Sequence, residues 1–116
     1  MNALIIDDEI DICYLLQGIL LSKNISSDHV NSISEAKYAL QEINPGIVFL
    51  DNHLPDGRGV DFISYCKKNN PGAVVIMLTA YDTPDDRRKA LAEGADFFIA
   101  KPFSREAIFH TINTLL

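Results

Sequence analysis

Short apolar runs alternate with longer amphipathic stretches along the whole chain. Leu4-Ile5-Ile6, Ile47-Val48-Phe49-Leu50, Val74-Val75-Ile76-Met77-Leu78 and Phe97-Phe98-Ile99-Ala100 are the runs. Runs of this length, bounded by polar or turn residues, read as buried strands. Between them, apolar residues recur at helical spacing. Ile12, Leu16, Ile19 and Leu20 share one face, as do Ala36, Ala39, Leu40 and Ile43. Phe62, Ile63 and Cys66 mark a third helix from Gly59 to about Asn69, and Ile108, Ile112, Leu115 and Leu116 mark the last. Ser26–Val30 carries little apolar content and reads as an edge strand, which water wets on one side.

Punctuation residues agree with that pattern. Ser32 and Glu35 have the spacing of a capping box, and Asn44-Pro45-Gly46 stops the helix that follows. Pro71-Gly72 ends the third helix. Thr83 reads as an N-cap with Pro84 at the first helical position, Gly94 suits the position just past the end, and Ser104 caps the last helix. Five strands alternating with five helices predict one α/β domain over residues 1–116. It is a doubly wound parallel sheet with helices on both faces and right-handed crossovers. The chain stops within the fifth helix, so no second domain is expected. No run approaches the roughly 20 apolar residues of a membrane helix. No basic segment precedes an apolar one at the N-terminus, so a cytoplasmic protein is expected.

Composition narrows the function classes. Hydrophobic residues make up 47% and charged residues 22% of 116, an ordinary globular balance. A net charge of −6 argues against binding nucleic-acid backbones, which requires clustered Lys and Arg. Arg87-Arg88-Lys89 follows Asp85-Asp86 directly and reads as a solvated helix face, with a docking surface for a protein partner as the alternative. Cys13 and Cys66 sit in apolar helical patterns without redox or zinc spacing, and His29, His53 and His110 are scattered.

The ends of the apolar runs carry the chemistry. They deliver Asp7-Asp8, Asp51, Thr79 and Lys101-Pro102 in turn. In an open parallel sheet the carboxyl ends of the strands share one edge, where ligands bind near the reversal of strand order. Carboxylates about 4 Å apart at an effective dielectric near 20 repel by roughly 4 kcal/mol per pair, so folding alone does not favour such a cluster. Taken singly, Asp8 could cap the first helix and Asp51 could open a turn before Pro55-Asp56-Gly57. Taken together with Thr79 and Lys101, they suit a magnesium ion and a phosphoryl group. Asp51 stands alone after the most buried-looking strand and is the candidate nucleophile, forming an acyl phosphate. Asp7 and Asp8 would hold the metal, Lys101 would supply a point charge and Thr79 a hydroxyl donor.

Four motifs, in order, resemble the receiver domains of two-component response regulators across essentially the whole chain. They are Ala3-Leu4-Ile5-Ile6-Asp7-Asp8-Glu9, Val48-Phe49-Leu50-Asp51-Asn52-His53-Leu54-Pro55-Asp56-Gly57, Met77-Leu78-Thr79-Ala80 and Ala100-Lys101-Pro102-Phe103. The resemblance implies a flavodoxin-like strand order, 2-1-3-4-5. It also implies that Asp51 accepts a phosphoryl group from the phosphohistidine of a sensor histidine kinase or histidine phosphotransfer protein. Mg²⁺ would be bound by Asp8, Asp51 and the main-chain carbonyl of His53, with Asp7 acting through metal-bound water. A cis Lys101–Pro102 bond is implied as well. Thr79 and Phe98 would form a switch that changes the helix 4, strand 5 and helix 5 surface for a downstream output domain or protein. Phe98 lacks the hydroxyl of the tyrosine often found there. His53 and Tyr81 would flank the path of attacking water and slow dephosphorylation; the alternatives are that His53 orients that water and speeds the loss, and that Tyr81 is a surface aromatic or a partner contact.

Two rival readings fit less well. A magnesium-dependent phosphatase with an aspartyl nucleophile, of the haloacid-dehalogenase type, would separate its two acids as D-x-D, whereas Asp7 and Asp8 are adjacent. A flavin-binding module would need a hydroxyl- and glycine-rich phosphate loop where Asp7-Asp8-Glu9 stands.

Overall fold

The computed structural model describes residues 1–80 and 83–115. Strands β1 (Asn2–Ile6), β2 (Ser26–Val30), β3 (Ile47–Asp51), β4 (Val74–Thr79) and β5 (Phe97–Ala100) alternate with helices α1 (Ile10–Leu21), α2 (Ile33–Ile43), α3 (Ile63–Asn69), α4 (Pro84–Glu93) and α5 (Arg105–Leu115). All pairings in the main sheet are parallel, in the order β2-β1-β3-β4-β5. The chain leaves β1 for one edge and returns to β3 on its other side. The reversal therefore opens a crevice beyond the ends of β1 and β3.

Side chains alternate across a strand, so each central strand feeds two cores. Leu4, Ile6, Val48, Leu50, Val75 and Met77 face α2, α3 and Ala90 of α4. Ala3, Ile5, Ile47, Phe49, Ile76 and Leu78 face Cys13, Leu16, Ile19 and Leu20 of α1 and Ile108 and Ile112 of α5. Burial on both faces is why β3 reads as an unbroken apolar run. β2 at the edge leaves Ser26 and Asp28 exposed.

Most sequence signals for the element ends are realised. The Ser32 hydroxyl accepts from the Glu35 N–H and lies 3.2 Å from the Glu35 carboxylate, whose backbone donor is the Asn31 N–H, so the box closes one residue further out. Asn44 takes a left-handed conformation at the end of α2. The Thr83 hydroxyl accepts from the Asp86 N–H, and Gly94 closes α4 with φ 112°. Ser104 accepts from the Ala107 N–H ahead of α5. Leu116 lies outside the described residues.

Two elements differ from expectation. The third helix is divided into a 3-10 turn at Gly59–Asp61 and α3 from Ile63. Its first amides are already committed: Gly59 N–H donates to the Asn52 carbonyl and Val60 N–H to Asn52 Oδ1. Ahead of it, His53–Leu54 pairs antiparallel with Gly57–Arg58 in a small hairpin. On α1, Leu16, Ile19 and Leu20 are buried as their spacing predicts, but Cys13 rather than the half-buried Ile12 completes the stripe. No described helix is long and apolar enough to cross a membrane.

A methyl group at Gly59 would lie 2.2 Å from the Asp51 carbonyl oxygen and 3.1 Å from Leu50 Cγ. Gly59→Ala is therefore expected to destabilise the chain by about 1–3 kcal/mol, the range for overpacking a tight interior. Gly18→Ala meets nothing within 4 Å on an open helix face and should stabilise by roughly 0.5–1 kcal/mol. Urea denaturation of both variants checks the pair. A Gly59→Ala chain as stable as wild type would show that the loop does not need this close approach.

Candidate functional site

Each strand end delivers one part of the site. Asp7 follows β1, Asp51 ends β3, Thr79 ends β4, and Lys101 follows β5 after a backbone bond of 2.8 Å from its N–H to the Thr79 carbonyl. The Lys101–Pro102 bond is cis. Lys101 Nζ lies 2.8 Å from Asp7 Oδ2, 2.9 Å from Glu9 Oε1 and 3.4 Å from Asp51 Oδ1. Asp7 and Asp51 are buried, and the Lys101 side chain is nearly so.

This is a surplus of anions around one cation. Carboxylate oxygens of Asp7, Asp8, Glu9 and Asp51 all lie within 4.8 Å of one another. Asp7 Oδ1 accepts from the Glu9 N–H, but its Oδ2 is buried without a hydrogen-bond partner among the described residues, compensated by the ion pair with Lys101. Four carboxylates sharing one ammonium, in an all-oxygen donor set, fit a hard divalent cation. The acidic cluster could therefore bind a metal ion.

The protonation equilibria follow from the same crowding. Burial, then the charge of Asp7, push the Asp51 carboxyl up to about 6, against the pull of Lys101 and of the His53 backbone N–H that donates to it. Burial also raises Asp7. Burial disfavours the Lys101 ammonium, but its bonds to Asp7 and Glu9 outweigh that and hold it above its ordinary value. The Cys13 and Cys66 thiols are buried and pushed up to about 12, which suits inert core residues.

Asp7, Asp8, Asp51 and Lys101 thus converge as the sequence suggests. Asp8 does not cap α1: Glu9 is the N-cap residue and makes no side-chain cap bond. Thr79 is buried at the rim and lines one small cavity with Phe98, Asn52 and Asp86. Phe98 is half-buried, with the Arg87 guanidinium 4.4 Å from its ring centroid. His53 is exposed beside the site, and Tyr81 lies outside the described residues.

Some contributors had no assigned role in the sequence. Glu9 belongs to the acidic cluster, and its place directly after Asp7-Asp8 was the available signal. Asn31 donates 2.8 Å to the Asp7 carbonyl across 24 residues, which no local pattern announces. Asn52, adjacent to Asp51, is almost fully buried and organises the loop that follows.

Asp51 should leave a pH signature on stability. Its native pKa of about 6 exceeds the ordinary 3.8, so between those values the native state holds a proton that the unfolded chain has released. Stability in metal-free buffer should fall as pH rises through that window, by about 2–3 kcal/mol from this group. Asp56 and Asp86 are held low, by the Ile33 and Ser34 amides and by Arg58 respectively, and so act only at lower pH. Denaturation series from pH 4 to 7 in EDTA should show the slope in wild type and a smaller one in Asp51→Asn, where Asp7, also raised by burial, remains. Equal slopes would refute the assignment.

The response regulator receiver domain family model matches residues 3–113. The transcriptional regulatory protein BasR of Escherichia coli is 34% identical over all of this chain and 52% of its own length. The chemotaxis protein CheY of Halobacterium salinarum is 30% identical over 99% of this chain and 96% of its own. A crystal structure of a response regulator from Burkholderia pseudomallei, with a phosphorylated aspartic acid, calcium ion and citrate, superposes with a TM-score of 0.88. It is 26% identical and covers 93% of this chain and 64% of its own. The chain spans about half the length of BasR and nearly all of CheY. With strand order, edge chemistry and family match in agreement, the chain belongs to the receiver domains of two-component response regulators.

Proposed function

We propose that residues 1–116 act as one phosphorylation-controlled signalling domain whose phosphoacceptor is Asp51. The observation that carries this reading is the Asp51 carboxylate, buried at the end of the central strand with Lys101 Nζ 3.4 Å away and three further carboxylates around it. The donor is the phosphohistidine of a sensor histidine kinase or histidine phosphotransfer protein in the cytoplasm. An Asp51 oxygen attacks phosphorus, an O–P bond forms, and the N–P bond breaks as the imidazole leaves and takes up a proton.

Asp8, Asp51 and the His53 carbonyl would hold Mg²⁺, with Asp7 beside them acting through water, and the ion would supply positive charge to the phosphoryl oxygens. The chain's own residues do the rest. Lys101 is already drawn toward Asp51 and exchanges part of its contact with Asp7 and Glu9 for a phosphoryl oxygen. Thr79 donates its hydroxyl to another oxygen. Because Thr79 and Phe98 line one cavity, a displaced Thr79 vacates space into which Phe98 turns. That turn alters the α4, β5 and α5 surface read by an output domain or protein. His53 and Tyr81 flank the approach of water and slow hydrolysis. The phosphorylated aspartic acid of the Burkholderia pseudomallei relative supports the reading.

Acetyl phosphate with Mg²⁺ is expected to add one base-labile phosphoryl group, measured by intact mass. Asp51→Asn should abolish it. Undiminished labelling of Asp51→Asn would overturn the assignment.

Lys101 and Thr79 divide the labour. Lys101→Ala should slow phosphoryl acceptance, whereas Thr79→Ala should retain more of it and lose the conformational response. Labelling rates, and amide NMR shifts in residues 83–115 with and without beryllofluoride, separate the two roles. Full rates and full responses in both variants would refute them.

A further inference from the structure

α4 is held to the body mainly by polar contacts. Ala90 is its one described residue that is buried, while Lys89 pairs with Asp61 at 2.5 Å and Asp86 with Arg58 at 2.5 Å. The Asp86 contact differs in what lies behind it. The same oxygen accepts a longer bond of 3.4 Å from Asn52 Nδ2, and Asn52 is the buried residue after Asp51. Asn52 also clasps its own loop: its Oδ1 accepts from Val60 N–H and its carbonyl from Gly59 N–H, each at 3.0 Å. Both ends of the segment 52–60 thus meet at Asn52, while Asn52 and Arg58 meet at Asp86. Within that closed segment lies His53, whose backbone N–H donates to the Asp51 carboxylate.

We propose that Asp86 is a positioning residue for the phosphorylation site. Through Asn52 and Arg58 it holds the loop in the shape that presents the His53 carbonyl to Mg²⁺. The proposal rests on the Mg²⁺ assignment made above. Coupling of this kind is reciprocal, so filling the metal site also tightens α4 against the loop.

Long-range electrostatics is the competing account, and the sign of one substitution separates the two. Arg58→Met removes a positive charge near the site, which by electrostatics alone would tighten Mg²⁺ binding. If the tether matters, the same change weakens it. Asp85→Asn removes a neighbouring carboxylate that pairs with Arg88 on the same helix, and so controls for net charge.

The experiment follows the chain by amide NMR in two ways. Mg²⁺ titrations give the Kd, and hydrogen exchange at Gly59 and Val60 in EDTA reports the clasp without metal. The paired side chains are 45% and 25% exposed. A loss of about two- to fivefold in Mg²⁺ affinity is therefore expected for Arg58→Met and Asp86→Asn, the range for a partly exposed ion pair. Faster exchange at both amides should accompany it. The double variant should lose less than the sum of the singles, and Asp85→Asn should show no change in exchange. Arg58→Met binding Mg²⁺ as tightly as wild type, or more tightly, overturns the positioning role. Unchanged exchange at Gly59 and Val60 overturns the tether itself. A wild-type chain with no saturable Mg²⁺ response overturns the metal assignment and the positioning role built on it, and exchange then decides the tether alone.

Discussion

One ammonium facing four carboxylates at the edge of a buried sheet is the constraint on which the structure turns. Asp7 and Asp51 are removed from water, and among the described residues Lys101 Nζ is the cation within 4 Å of both. Such an arrangement costs free energy, because desolvation and like charge both disfavour it. It persists because the backbone beneath it cannot yield. β1 and β3 are packed on both faces, so the backbone that carries the two carboxylates cannot be displaced without breaking a core. The repulsion is in effect a stored preference for positive charge, which a cation at this edge would relieve.

The loop after Asp51 is buried at its two ends and at Leu54, and its exposed remainder is held by hydrogen bonds. Its small hairpin, the Asn52 clasp and the Gly59 contact close it upon itself. Asp56 then ties the tip to α2 by accepting from the Ile33 N–H at 2.8 Å and the Ser34 N–H at 3.0 Å. Those amides belong to the first turn of the helix, where no intrahelical partner exists. One carboxylate therefore satisfies the helix start and anchors the loop that follows the proposed phosphoacceptor.

α4 stands apart from the other helices. It carries Asp85, Asp86, Arg87, Arg88 and Lys89, and leaves Leu91 exposed. Its hold on the 3-10 turn and α3 runs through Arg58–Asp86, Asp61–Lys89 and a Ser64–Glu93 hydrogen bond. Few buried apolar contacts mean a small cost for displacement.

The alternating apolar runs, the caps at Ser32, Thr83 and Ser104, and the breaks at Asn44 and Gly94 are local signals, and local signals by themselves determined the five strands and the helices between them. They also determined that Asp7, Asp8, Asp51, Thr79 and Lys101 share one edge, because a parallel sheet leaves strand ends nowhere else to go. Tertiary structure decided the rest. That Cys13 rather than Ile12 enters the core depends on how α1 rolls on the sheet. That the amides of Gly59 and Val60, where the third helix was expected to start, turn to Asn52 depends on where the loop brings that residue. Glu9 meets Lys101 across 92 residues and Arg58 meets Asp86 across 28. Such meetings depend on strand order and register, which hydrophobic periodicity leaves open because it records only which face of an element is buried, and not what lies opposite it.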